Sequence, residues 1–288
     1  MKRSAASVAA RVMAVLLAMG LGLPAQSALA SVLASPWAVG HKAKARLVAG
    51  RTAPGAGGAL FAFVEVELAP GWKTYWRTPG DTGLPPAFDW SKSVNLAKAD
   101  VEFPAPKVFT DKSGQTVGYE GHVVFPVRVT AQAADQPVSL AVNLQYGICK
   151  DVCVPIEAEL ELGFSADEVA AAPASALDAL GWVPRAQAQR LPEDPALVRA
   201  ESQLTGDAPK IVVEGAFPGQ ETSAAVFLEA SNGQYLPIPS EVGRSAGGAR
   251  VFAASLAKDV DLAELKGQTI TVTLVGAAGA SYATFVVK

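Results

Sequence analysis

In the stretch Gln145-Tyr146-Gly147-Ile148-Cys149-Lys150-Asp151-Val152-Cys153-Val154-Pro155-Ile156-Glu157-Ala158-Glu159-Leu160-Glu161-Leu162, a strict alternation follows a closely spaced cysteine pair. From Ile156 to Leu162 every second residue is Glu and the rest are apolar, the period of a strand with one face on a core and one in water. Such a strand belongs at the end of its domain. The cysteines are the only two in the chain. In an extended segment their Cα atoms would stand about 13 Å apart, beyond the roughly 7 Å a disulfide tolerates. Pairing therefore requires the backbone to double back through Lys150, Asp151 and Val152, as a tight hairpin tip or a single helical turn. Val152 is β-branched and resists positive φ, so the commonest three-residue hairpin fits it imperfectly, with some strain expected.

Working upstream, Ala43 to Ala49, Ala59 to Leu68, Trp72 to Arg77, His122 to Thr130 and Val138 to Tyr146 are short apolar or alternating runs cut by Gly, Pro and Asp. Many short strands with frequent turn signals predict a β-sandwich over residues 31–164. Downstream, Ser165-Ala166-Asp167-Glu168 has the capping-box pattern ahead of an alanine-rich stretch that Pro173 interrupts and Gly181 ends. Residues 165–200 are accordingly expected to form a short helical linker. Strand patterns resume at Lys210 to Glu214, Ala224 to Glu229, Arg250 to Ala254, Thr269 to Val275 and Ser281 to Val287, predicting a second, smaller β-domain over 201–288. The fold class is all-β.

The first 30 residues carry Lys2, Arg3 and Arg11, an apolar run from Val12 to Leu23, and Ala28-Leu29-Ala30, the pattern of a cleavable secretory leader. Its apolar run falls short of the roughly 20 residues a membrane span needs, and no later segment approaches that length. Without those three cations the net charge moves from −3 to −6, which argues against a nucleic-acid partner. All three methionines (Met1, Met13, Met19) lie in the leader, and His41 and His122 are the only histidines. Few ligands remain for a metal site or a histidine-based triad, and no cofactor is expected.

In an exported protein the two cysteines should pair with each other. A structural staple is one reading, yet closing a loop of about five residues stabilises by only ~2 kcal/mol, against roughly 5 for a 100-residue loop. Short, exposed bridges are the reducible ones, which favours disulfide exchange. Two thiolates binding Cu(I) is a third reading. Lys150 favours thiolate formation and Asp151 opposes it, so charge does not select the reactive sulfur.

Four segments in order resemble the amino-terminal periplasmic domain of the DsbD and ScsB thiol:disulfide interchange proteins. They are Pro70-Gly71-Trp72-Lys73-Thr74-Tyr75-Trp76-Arg77, Pro79-Gly80-Asp81-Thr82-Gly83-Leu84-Pro85, Val117-Gly118-Tyr119-Glu120-Gly121 leading into the strand from His122, and Tyr146 to Pro155. The resemblance covers roughly residues 40 to 165. It implies an immunoglobulin-like sandwich whose cysteines pass electrons to oxidised periplasmic proteins, with a link to cytochrome c biogenesis. It implies also that Cys153 forms the mixed disulfide and Cys149 resolves it. Relatives space the cysteines by five residues, and this chain by three. The sequence has no counterpart of the relatives' eight-helix membrane domain or thioredoxin-like domain, so a separate membrane thiol reductase or thioredoxin-like protein is the expected donor. A cap loop over the cysteines falls by position within Phe109 to Val117, with Phe109 or Tyr119 as its cover, and Tyr119 and Tyr146 are expected beside the sulfurs.

Other features have plainer readings. Trp72, Tyr75 and Trp76 suit a core and its edge better than a partner groove, and Pro79 to Gly83 is turn chemistry. Gly243-Arg244-Ser245-Ala246-Gly247 matches the hydrolase elbow but lacks the strand-to-helix context. The competing function is a non-catalytic periplasmic binding module, or a copper-tolerance factor with a structural disulfide.

Overall fold

The computed structural model describes residues 32–53, 58–80, 83–111, 114–219, 224–256 and 260–288. The leader reading falls on residues 1–30, and Asp81 and Thr82 of the expected turn are likewise outside the described residues. The predicted strand patterns appear as Ala43–Arg51, Leu60–Leu68, Lys73–Gly80, His122–Ala131, Val138–Cys149 and Cys153–Phe164. They divide between two sheets. In the first, Leu33–Ala34, Ala43–Arg51, Leu60–Leu68, His122–Ala131 and Leu96–Val101 lie side by side, with Ala38–Val39 also against Ala43–Arg51. In the second the order is Cys153–Phe164, Val138–Cys149, Lys73–Gly80, Gly114–Glu120 and Lys107–Asp111, with Ala87–Asp89 also pairing Val138–Cys149. Every pairing in these two sheets is antiparallel.

Alternation dictates the core. Ala158, Leu160 and Leu162 are buried while Glu157, Glu159 and Glu161 are exposed, and their strand lies at the sheet edge. The facing sheet contributes Leu47, Val64, Phe125 and Val127, all with 1% exposure or less. Phe125 sits at the centre, its ring 5.3 to 5.6 Å from those of Phe88, Phe103 and Tyr119 in edge-to-face contacts.

The helix begins later than the capping pattern suggests. Glu168 does reach back to the Ser165 N–H at 3.0 Å, but this closes a turn. Residues 170–172 then run beside Arg51, with Arg51 N–H donating to Ala170 O and Ala172 N–H to Arg51 O. Gly50 permits this approach, since a Cβ there would stand 2.5 Å from Ala172. The helix Ala174–Gly181 starts only after Pro173, whose fixed φ suits an N-terminal position. It covers the outer face of the first sheet, where Ala172 and Ala176 cluster with Val48, Phe61, Phe63 and Val124.

Beyond it lie two more sheets. One orders Arg185–Ala186, Ala280–Val286, Thr269–Val275 and Ala225–Ala230, and the other Ala196–Gln203, Lys210–Ala216, Arg250–Ser255 and Ser240–Arg244. Ile211, Val213, Val226, Leu265, Ile270, Val272 and Leu274 form a second core at 0% exposure. The last residues of segment 165–200 already belong to the strand Ala196–Gln203. Phe227 points the other way, into the first core. Gly243 to Gly247 begins in the exposed strand Ser240–Arg244 and runs into a turn, without the helix a nucleophile elbow needs.

Two outcomes follow for stability. Phe125→Ala should cost about 3–5 kcal/mol, read from the urea midpoint. Burial pushes the Tyr146 hydroxyl from its ordinary 10.0 up to about 12. The unfolded chain ionises first, so the contribution of Tyr146 to stability is intact below about pH 10 and is lost as pH rises towards about 12. A Tyr146→Phe variant should flatten that alkaline decline in the urea midpoint.

Candidate functional site

The strands Val138–Cys149 and Cys153–Phe164 pair in unbroken register from Val138↔Phe164 to Cys149↔Cys153. The cysteines are thereby opposed at the turn end of the ladder, Cα atoms 4.1 Å apart, and joined by a disulfide. Of the two tip geometries open to the sequence, the hairpin is the one adopted. Lys150 N–H faces Val152 O at 3.4 Å, and none of Lys150, Asp151 and Val152 has positive φ. Val152 thus avoids the left-handed region, and that expected source of strain is absent. It is 68% exposed. Cys153 is exposed and Cys149 half-buried.

Cross-strand partners share a face, and successive residues alternate faces. Ile148, Thr74 and Tyr119 form one row and are buried. Cys149, Lys73 and Glu120 form the next row and face the other way. This parity corrects the expectation that Tyr119 and Tyr146 flank the sulfurs. Tyr119 donates its hydroxyl to Pro104 O at 2.8 Å, and Tyr146 lies on the core face with Ile148. Burial drives the Tyr119 pKa well above the usual phenol range, with the Arg77 charge opposing it. Tyr119 also lines a groove of about 850 Å³ between Pro104–Val108 and Trp182, which shares no residue with the cysteine tip.

The expected cap loop is instead a hairpin of Lys107–Asp111 and Gly114–Glu120. Its described residues are held by their own ladder, and Lys112 and Ser113 of the expected cap lie outside the described residues. Phe109 projects on the outer face, its ring centroid 4.8 Å from Lys73 Nζ, and Lys73 is the row partner of Cys149.

The side chain that meets sulfur is Tyr75. Its hydroxyl lies 3.2 Å from Cys153 Sγ, and a bonded sulfur carries no hydrogen, so the hydroxyl is the donor. Tyr75 is 2% exposed although it lies on the outer face. Two glycines make room for its ring. A Cβ on Gly83 would stand 2.6 Å from Tyr75 Cδ1, and one on Gly147 would stand 2.9 Å from Tyr75 Cε2. Leu84 completes the cover, its carbonyl accepting from Gly147 N–H at 3.1 Å. The site's roof therefore comes from Gly83, the last residue of the stretch read as a plain turn, and from Leu84 beside it. A signal for Tyr75 existed: in a strand, adjacent Tyr75 and Trp76 must face opposite sides, so both cannot enter one core. Trp76, at 0% exposure, took the core.

His41 is exposed and stacks edge-on to Trp72 at 5.5 Å, and His122 opens its strand in an exposed position. Among the described residues, no three His, Cys, Asp or Glu side chains gather as a metal-binding group, and no helix is long and apolar enough to cross a membrane.

Comparison with known proteins adds to this geometry. No curated protein matches the sequence. Among solved structures, the N-terminal periplasmic domain of ScsB from Proteus mirabilis resembles it with a TM-score of 0.67 at 21% identity, over 89% of this chain and 99% of that one. Such coverage carries the likeness in fold past the first two sheets into the second pair. Residues 44–165, which hold both cysteines, Tyr75 and the Gly83–Leu84 roof, match the family model described as thiol:disulfide interchange protein DsbD, N-terminal. Through that segment, the chain carries an immunoglobulin-like domain of the DsbD N-terminal family.

Proposed function

We propose that the chain is a periplasmic thiol:disulfide interchange protein in which Cys149 and Cys153 carry two electrons to oxidised proteins. The observation that carries this reading is an exposed Cys153 bonded to half-buried Cys149 at a hairpin tip, with the Tyr75 hydroxyl on the outer sulfur. The bridge adds little to a hairpin whose strands already pair along their whole length, because a loop of about five residues yields only ~2 kcal/mol.

In the reduced chain, Cys153 as thiolate attacks a client disulfide, forming one S–S bond and expelling one client thiolate. Cys149 then attacks Cys153 Sγ, restoring the intramolecular bond and releasing the second client thiolate. Two electrons pass to the client, and both client thiolates take up protons equal in number to those lost by the two cysteines. A dithiol protein must reverse the process to recharge the chain, and a membrane thiol reductase or thioredoxin-like protein supplies that class of donor. The Tyr75 O–H faces the attacking sulfur, where a charge-assisted hydrogen bond raises the thiolate fraction on which the rate depends. Export through a leader at residues 1–30 places the chain in a compartment where client disulfides form.

Trapping decides between exchange and a staple. Cys149→Ala should accumulate a mixed disulfide through Cys153 with an oxidised thioredoxin-like protein on non-reducing gels, and Cys153→Ala should not. The reverse pattern would exchange the two roles. A midpoint potential far below about −300 mV with no mixed disulfide from either variant would make the bridge structural. Tyr75→Phe should slow client attack about tenfold near pH 7 while leaving the thermal midpoint close to that of the parent, measured by stopped-flow fluorescence.

A further inference from the structure

The strand Lys73–Gly80 serves the sulfur site at one end and the second pair of sheets at the other. Thr74 and Tyr75 pair with Tyr119 and Gly118, but the register then breaks and resumes only at Gly80↔Thr116. On its other side the strand pairs with Val138–Cys149 only at Lys73 and Thr74. Tyr75 is thus the last residue in ladder register before the interruption. The three residues that follow are held by the second pair of sheets. Trp76 packs on Phe227 with ring centroids 5.3 Å apart. Arg77 grips Glu229 through Nε and Nη2, both at 2.8 Å, and Thr78 Oγ1 donates to Glu229 Oε1 at 2.9 Å. The Arg77 guanidinium also lies 4.2 Å over the Trp76 ring. A bidentate, charge-assisted pair fixes direction as well as distance.

Resting on the redox reading of Cys149 and Cys153, we infer that Glu229 is a positioning residue for the sulfur site: by clamping Arg77 and Thr78 it holds the end of the strand that aims the Tyr75 hydroxyl at Cys153. The second pair of sheets then belongs to the framework of the redox centre. Loss of the carboxylate releases Arg77 and Thr78, and the phenol loses its fixed approach to sulfur.

The test uses the full chain with Cys149→Ser, so that one thiol reports, and follows its alkylation by iodoacetamide across pH. Glu229→Ala should slow alkylation near pH 7 about threefold and move the profile to higher pH. In the Tyr75→Phe background the same substitution should change nothing further, because coupled residues are non-additive. Equal slowing in both backgrounds, or no slowing with Tyr75 present, overturns the inference. Should Glu229→Ala fail to fold, Glu229→Gln keeps an acceptor for Thr78 but loses the charge, and a smaller slowing confined to the Tyr75 background is then expected; equal slowing in both backgrounds again overturns it. No client protein takes part, so a missing mixed disulfide refutes the exchange reading without deciding this coupling.

Discussion

An antiparallel ladder in continuous register brings Cys149 and Cys153 face to face, and the rest of the site is arranged around that pairing. The strand Cys153–Phe164 has its register fixed far from the tip, where Ala158, Leu160 and Leu162 must enter the core and three glutamates must leave it. A slip of one residue would invert every side chain and carry both the acidic face and Cys153 to the wrong side. The hydrophobic demand of the lower hairpin therefore sets the geometry of the sulfurs at its end. The disulfide inherits a position that burial has already determined.

The same two-residue period sorts the aromatic residues. Tyr119, Tyr146 and Trp76 take the core side, where they bury large apolar areas. Tyr75 takes the outer side and is buried by other means, since the Gly83–Leu84 roof closes over its ring. Glycine is required at 83 and 147 because the ring fills the space a Cβ would occupy. A polar group that is both shielded and fixed in direction has more influence on a neighbouring sulfur than one turning freely in water.

The second pair of sheets is tied to the first in a way a flexible tether would not need. Phe227 is a member of the first core, and Glu229 neutralises Arg77 in a partly buried site. The intervening segment is also fastened, by the helix Ala174–Gly181 on Phe61, Phe63 and Val124, and by the fully buried Asp194, which receives Arg185 Nη1 and Leu191 N–H. A buried carboxylate persists only with such partners.

Sequence alone determined the all-β class, the six main strands of the first two sheets, and the need for a turn between the cysteines. Each of these rests on local period, composition or chain geometry. It did not reveal Leu96–Val101, Ala196–Gln203 or Ser240–Arg244, strands at sheet edges with mixed or wholly exposed faces. A neighbour's backbone groups recruit such strands, and hydrogen bonding of that kind leaves no hydrophobic period to read. The capping box at Ser165 was legible as chemistry but not as a helix start, because docking of residues 170–172 beside Arg51 competed for the segment. Tyr119 and Tyr146 were misplaced because proximity along the chain says nothing of which face a residue takes. Only the tertiary structure chose Tyr75 as the neighbour of Cys153 and Glu229 as the anchor of its strand. Those contacts join residues 78 and about 150 positions apart, and their geometry is set by how sheets pack, which no local pattern records.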